Sequence, residues 1–98
     1  MEVFRRTDVS GNFMEDKLHD FTVNDRQDFI KFLQLLHQDF LDNPESWENQ
    51  NLADFLEALS AYAKDVQGYY NNMKLGINAD KPEWRTFADI IRGATIYE

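Results

Sequence analysis

The sequence contains no cysteine. That absence excludes disulfide staples, thiolate catalysis and Cys-ligated zinc or iron–sulfur sites. It is compatible with a reducing cytoplasm, the expected compartment. Basic residues are also scarce: 10 Lys and Arg stand against 18 Asp and Glu, for a formal charge of −8 and a pI near 4.6. Binding to nucleic acid depends on neutralising phosphates, and holding anionic lipid needs Lys/Arg clusters beside apolar surface. Neither function fits. No apolar run approaches the ~18 residues that span a bilayer. Arg5 and Arg6 near the N-terminus are not followed by the apolar stretch of a secretory signal. Glycine and proline are rare too, four and two respectively, and each falls alone.

What is present is apolar and aromatic: 43% of the residues are hydrophobic and 14% aromatic, enough to bury a core. Ninety-eight residues leave room for one domain, 1–98. Within it, residues 1–23 read as an irregular arm or short helix and 24–98 as a helical core. Asn12 and Glu15 have capping-box spacing, which predicts a short helix running to Asp20. Asn24 and Gln27 repeat that spacing at the head of a helix over Asp25–Asp42. Its stripe is Phe29, Leu33, Leu36 and Phe40, widened by Ile30, Phe32 and Leu41. Asn43-Pro44 stops it, because the residue before proline is pushed out of the α region.

A second helix opens at Asn51 with Asp54 three positions on. Its face is Leu52, Phe55, Leu56, Leu59, Tyr62, Ala63 and Val66. Gly68 can end it in the left-handed conformation, or it runs on toward Gly76. A third helix opens around Pro82 and closes at Gly93, with apolar positions Trp84, Phe87, Ala88, Ile91 and Ile90. Residues 94–98 are apolar enough to pack back as an extended segment. The expected fold class is all-α, a single small domain of three to four helices with an irregular N-terminal arm.

Few residues offer catalysis. His19 and His37 are 18 positions apart on different elements, so they form no metal motif. Ser10, Ser46 and Ser60 lack the glycine setting of an activated nucleophile. The glycines are too scattered for a phosphate loop. Nothing selects one carboxylate pair among the acids. No catalytic residue, cofactor or metal is expected, and the chain reads as a non-enzyme.

The charge is unevenly placed. Residues 24–60 hold eight acids and two bases, whereas 61–98 hold five of each. Asp25, Asp28 and Asp54 suit helix N-termini. Asp39 and Asp42 do not: they fall in a last turn, where negative charge costs about 0.3–1 kcal/mol each. Glu45 and Glu48 follow in the connecting loop. These four acids predict a docking surface for a basic partner, with Trp47 and Tyr69 or Tyr70 as aromatic anchors. One of the two tyrosines is expected to be buried with its hydroxyl paired and the other exposed.

Several segments carry a resemblance: Asp28-Phe-Ile-Lys-Phe-Leu33, Trp47-Glu-Asn49, Leu52-Ala-Asp-Phe-Leu-Glu-Ala-Leu59, Gly68-Tyr-Tyr-Asn71, Trp84-Arg-Thr-Phe-Ala-Asp-Ile-Ile91 and Ala94-Thr-Ile-Tyr-Glu98. Over about residues 24–98 the chain resembles an uncharacterised bacterial domain family of under a hundred residues, which brings no functional residues with it. In size, charge and compartment it is also similar in kind to immunity proteins, which neutralise toxins in bacterial competition, including contact-dependent growth inhibition. The resulting expectation is a cytoplasmic immunity protein that binds a basic toxin domain, specifically a nuclease. The residues expected to carry it are Asp39, Asp42, Glu45, Trp47, Glu48, Tyr69 and Tyr70. An acidic adaptor or nucleic-acid mimic that binds a basic cellular protein is the alternative.

Overall fold

The structure is a computed structural model and describes residues 17–97. The expected Asn12 cap and the arm over Glu2–Ser10 lie outside those residues. The architecture is all-α: α1 (Lys17–Asp20) is a single turn, followed by α2 (Arg26–Asp42), α3 (Leu52–Asn72) and α4 (Trp84–Ala94). A 3₁₀ turn over Pro44–Ser46 interrupts the connector between α2 and α3. No strand occurs among the described residues.

The helix ends show how side chains set the boundaries. The cap of α2 is Asp25 rather than Asn24: Asp28 N–H donates to Asp25 Oδ1 at 2.8 Å, while Asn24 N–H donates to Asp28 Oδ2 at 3.0 Å. Two acids, Asp25 and Asp28, therefore do the capping expected of Asn24 and Gln27. Asn51 caps α3 as its spacing predicts, accepting from Asp54 N–H at 2.8 Å. Gly68 does not end that helix. Instead Lys74 takes the left-handed conformation at φ 56°, with Leu75 N–H donating to Tyr70 O and Lys74 N–H to Asn71 O. This is a Schellman ending with lysine where glycine is usual. The loop beyond is pinned to α3 by Gln67, whose Nε2 donates to Ile77 O and whose Oε1 accepts from Ala79 N–H.

Pro82 lies outside α4, whose cap position is Glu83, and α4 continues through Gly93. That glycine is required by packing. A Cβ built on it would overlap the Tyr62 ring, so the close approach of α3 and α4 depends on its absence. Residues after Ala94 form a turn rather than the expected extended segment. It does fold back, and the Tyr97 ring meets the Tyr62 ring edge-on at 5.0 Å.

The last helix occupies the middle of the fold. Both α2 and α3 pack on α4 far more than on each other. Phe29 lies 5.4 Å from Trp84, and Phe32 is fully buried among Leu18, Val23 and Ala88. The buried line of α2 centres on Phe32, because Leu18 and Val23 reach it from the α1 side. Ile30 and Leu33, expected on the core stripe, are exposed as a result. Phe87 is likewise a rim residue, edge-on to Trp84 but 40% exposed. On the other side of α4, Ala58, Val66 and Tyr70 of α3 are buried, with Thr86 and Ala94 buried on α4 itself.

Candidate functional site

Residues 39–63 contain six acids and no Lys, Arg or His. The end of α2, the connector and the first turns of α3 make up this stretch. Its shape is fixed by side chains that a plain solvated loop would lack. Trp47 is buried, with its ring 4.9 Å from Phe40 and 5.9 Å from Phe55, and it thereby joins α2 to α3. Its indole Nε1–H donates to Asp39 Oδ2 at 2.8 Å. Next to it, the backbone N–H groups of Glu48 and Asn49 both donate to Thr95 O, at 2.9 and 3.2 Å. The Asn49 side-chain Nδ2 donates to Ala94 O and Tyr97 O, at 2.9 and 2.8 Å. One asparagine thus satisfies carbonyls that the end of α4 leaves open.

These contacts separate the seven expected site residues. Asp42, at the end of α2, and Glu45 and Glu48, in the connector, are exposed. Among the described residues Asp42 accepts only from Gln38 Nε2 at 3.0 Å, also at the surface. Asp39 is half-buried and holds the Trp47 indole, so the charge that opposes the helix dipole has a structural use. Trp47 presents no free ring face and is a core residue, not an anchor for a partner. Tyr70 is fully buried and is excluded from direct contact for the same reason. Tyr69 is exposed, but it lies 18 residues beyond Asn51 on α3, about 27 Å along a helix at 1.5 Å per residue. Neither tyrosine joins the acidic connector.

The tyrosines belong to a second polar cluster, whose charged members Arg85, Asp89 and Arg92 were not among the expected site residues. Tyr70 O–H donates to Asp89 Oδ2 at 2.7 Å. The same carboxylate receives Arg85 Nε at 3.2 Å and Arg92 Nη1 at 3.0 Å. Arg92 Nη2 donates to Phe21 O at 2.9 Å, and its guanidinium lies 5.0 Å from the Phe32 ring centre. Burial pushes the Tyr70 hydroxyl up to about 12, and the hydrogen bond to Asp89 adds to the rise. A shallow cavity of about 250 Å³ opens here beside Phe21, Tyr69, Arg85 and Asp89. Asp89 is spent on Tyr70, Arg85 and Arg92, and Arg92 also on Phe21 O, so these groups tie α4 to α3 and to the segment after α1. The signal available in the sequence was Arg85, Asp89 and Arg92 at i, i+4 and i+7.

No described helix is long and apolar enough to cross a membrane. Among the described residues no three His, Cys, Asp or Glu side chains gather as metal ligands would.

The molecule is therefore a small all-α domain with a base-free acidic stretch over residues 39–63, braced by the turn that follows α4. Residues 25–98 match a family of unknown function, DUF7660, and the chain belongs to that family. No curated protein and no solved structure matches it.

Proposed function

We propose that this protein is an immunity-type inhibitor that binds a basic toxin domain through the connector between α2 and α3. The observation that carries the reading is the bracing of that connector. Asp42, Glu45 and Glu48 face solvent from a segment held by the Trp47 indole at one point and by Thr95, Ala94 and Tyr97 carbonyls at another. Carboxylates displayed on a fixed backbone lose less conformational freedom on binding than the same acids on a loose loop. A field of one sign also steers encounter, raising association toward ~10⁸–10⁹ M⁻¹s⁻¹ at low salt. A nuclease fits best among toxins, because a site built for phosphates is itself basic and acids can occupy the phosphate positions.

The test is co-expression with the toxin-like product of the adjacent gene, which is expected to restore growth. Asp42→Lys with Glu45→Lys reverses charge at two exposed positions and is expected to abolish the rescue while leaving the fold intact. Equal rescue by the double variant removes the connector from the interaction. An adjacent gene that encodes no toxin favours the adaptor reading.

A further inference from the structure

Among the described residues five large apolar side chains are more than half exposed: Leu41, Leu52, Leu56, Met73 and Ile96. Single exposed apolar residues are ordinary, whereas several gathered in one place mark an interaction surface. Four of these five lie on elements that meet at one end of the fold. Leu41 is in the last turn of α2, Leu52 and Leu56 follow one another at i, i+4 at the start of α3, and Ile96 follows α4. Glu48 and Asn49 bond to Thr95, Ala94 and Tyr97, which brings those three helix ends together. Leu52, the most exposed at 71%, is thus at the same end of the fold as Ile96 and the acidic connector. Apolar side chains and carboxylates therefore lie at one end of the fold, where residues 39–63 supply no cation and Arg92, in the last turn of α4, is paired with Asp89 and Phe21 O.

We infer that this end is a docking surface for a positively charged amphipathic helix. Leu41, Leu52, Leu56 and Ile96 cover its apolar face, and Asp42, Glu45, Glu48 and Glu57 meet its Lys/Arg border. Charge selects this occupant. A second copy docked about a two-fold axis would set the base-free stretch against itself, and like charges facing each other oppose association. The inference rests on the reading of a basic partner and adds the groups that hold it. The carboxylates speed encounter, and the leucines govern how long the complex lasts.

The probe is a labelled synthetic helix of Lys and Leu with its leucines on one face, titrated into the full chain and followed by fluorescence anisotropy. A scrambled peptide of the same composition serves as control. The amphipathic peptide is expected to bind roughly tenfold tighter than the scrambled one. Leu52→Ser with Leu56→Ser is expected to weaken binding roughly tenfold through faster dissociation, at unchanged circular dichroism. Ile96→Ser, on a different element, is expected to weaken it in the same sense. Glu45→Gln with Glu48→Gln should slow association and flatten the salt dependence.

Equal binding of the two peptides, or indifference to the leucine and isoleucine changes, overturns the inference. So does a dimer in sedimentation that Leu52→Ser with Leu56→Ser dissolves, which assigns the surface to a second copy. Roughly tenfold tighter peptide binding by a full-length Phe4→Ser variant assigns it to the protein's own N-terminal segment and overturns it too. Growth rescue separates this inference from the toxin reading. Leucine-dependent peptide binding without rescue defeats only the toxin, and rescue by the leucine double variant with peptide indifference defeats only the docking helix.

Discussion

Replacing Asp39 by alanine sets two physical effects against each other. A carboxylate in the last turn of α2 opposes the helix dipole, so its removal should stabilise by about 0.3–1 kcal/mol. The same carboxylate accepts from the Trp47 indole at 2.8 Å, beside a ring packed between Phe40 and Phe55. A hydrogen bond to a charged group is worth about 1.5–3 kcal/mol, and its loss leaves a buried N–H without an acceptor. The hydrogen bond wins, and Asp39→Ala is expected to destabilise by about 1–2 kcal/mol. In a domain of this length that lowers Tm by roughly 4–8 °C per kcal/mol. Asp42 is the internal control. It sits in the same last turn but, among the described residues, accepts only from exposed Gln38, so Asp42→Ala should be neutral or slightly stabilising. Urea denaturation followed by far-ultraviolet circular dichroism measures both. Trp47→Phe keeps the aromatic packing and removes the donor, and a double-mutant cycle with Asp39→Ala should return about 1–2 kcal/mol of coupling. Asp39→Ala as harmless as Asp42→Ala, or a cycle with no coupling, would refute the structural assignment of Asp39 and return its charge to the proposed docking surface.

Tyr70→Phe removes the 2.7 Å bond to Asp89 and should cost about 1–2 kcal/mol in the same urea assay. The folded Tyr70 keeps its proton up to about 12 against 10 for the unfolded residue. Its contribution is therefore complete below pH 10 and falls by on the order of 2 kcal/mol as pH rises to about 12, a loss that Tyr70→Phe should remove from the alkaline stability profile. Tyr62 and Tyr97, raised by burial and by the bond to Asp65 respectively, act in the same direction. Gly93→Ala improves helix propensity by about 0.5–1 kcal/mol, yet drives a methyl into the Tyr62 ring. Overpacking of about 1–3 kcal/mol dominates, so thermal melting should fall, and Tyr62→Ala in the same chain should relieve the clash. Lys74→Gly should raise stability by on the order of 1 kcal/mol, because a left-handed residue with a Cβ carries that penalty at the α3 terminus. An unchanged melting temperature would argue against a left-handed Lys74.

Local chemistry made the helices legible. Asn51 reads as a cap because the Asp54 amide lies one turn on, and Asn43-Pro44 reads as a stop because of proline sterics. Where two cap residues compete, as Asn24 and Asp25 do, spacing alone leaves a one-residue ambiguity that the Asp28 carboxylate resolves. The face of α2 could not be fixed in the same way. Phe32 and Leu33 both lie on a broad apolar sector, and packing by Leu18 and Val23 decides which one is buried. The site divides along the same line. Exposure of Asp42, Glu45 and Glu48 follows from charge, whereas the burial of Trp47 and the use of Asp39 depend on Phe55, eight residues further along. The pairing of the tyrosines, one buried and bonded and one exposed, did follow from their adjacency on a helix.

The central place of α4 constrains the order of assembly. The ribosome delivers α2 and α3 first, yet the surface on which each of them packs arrives only with residues 84–94. Until then Phe29, Phe32, Val66 and Tyr70 have no α4 to cover them, and the acidic connector lacks the Thr95 and Tyr97 carbonyls that brace it. The α4-covered core and the braced acidic connector therefore mature in one late step, and a nascent chain stopped before Trp84 would lack both.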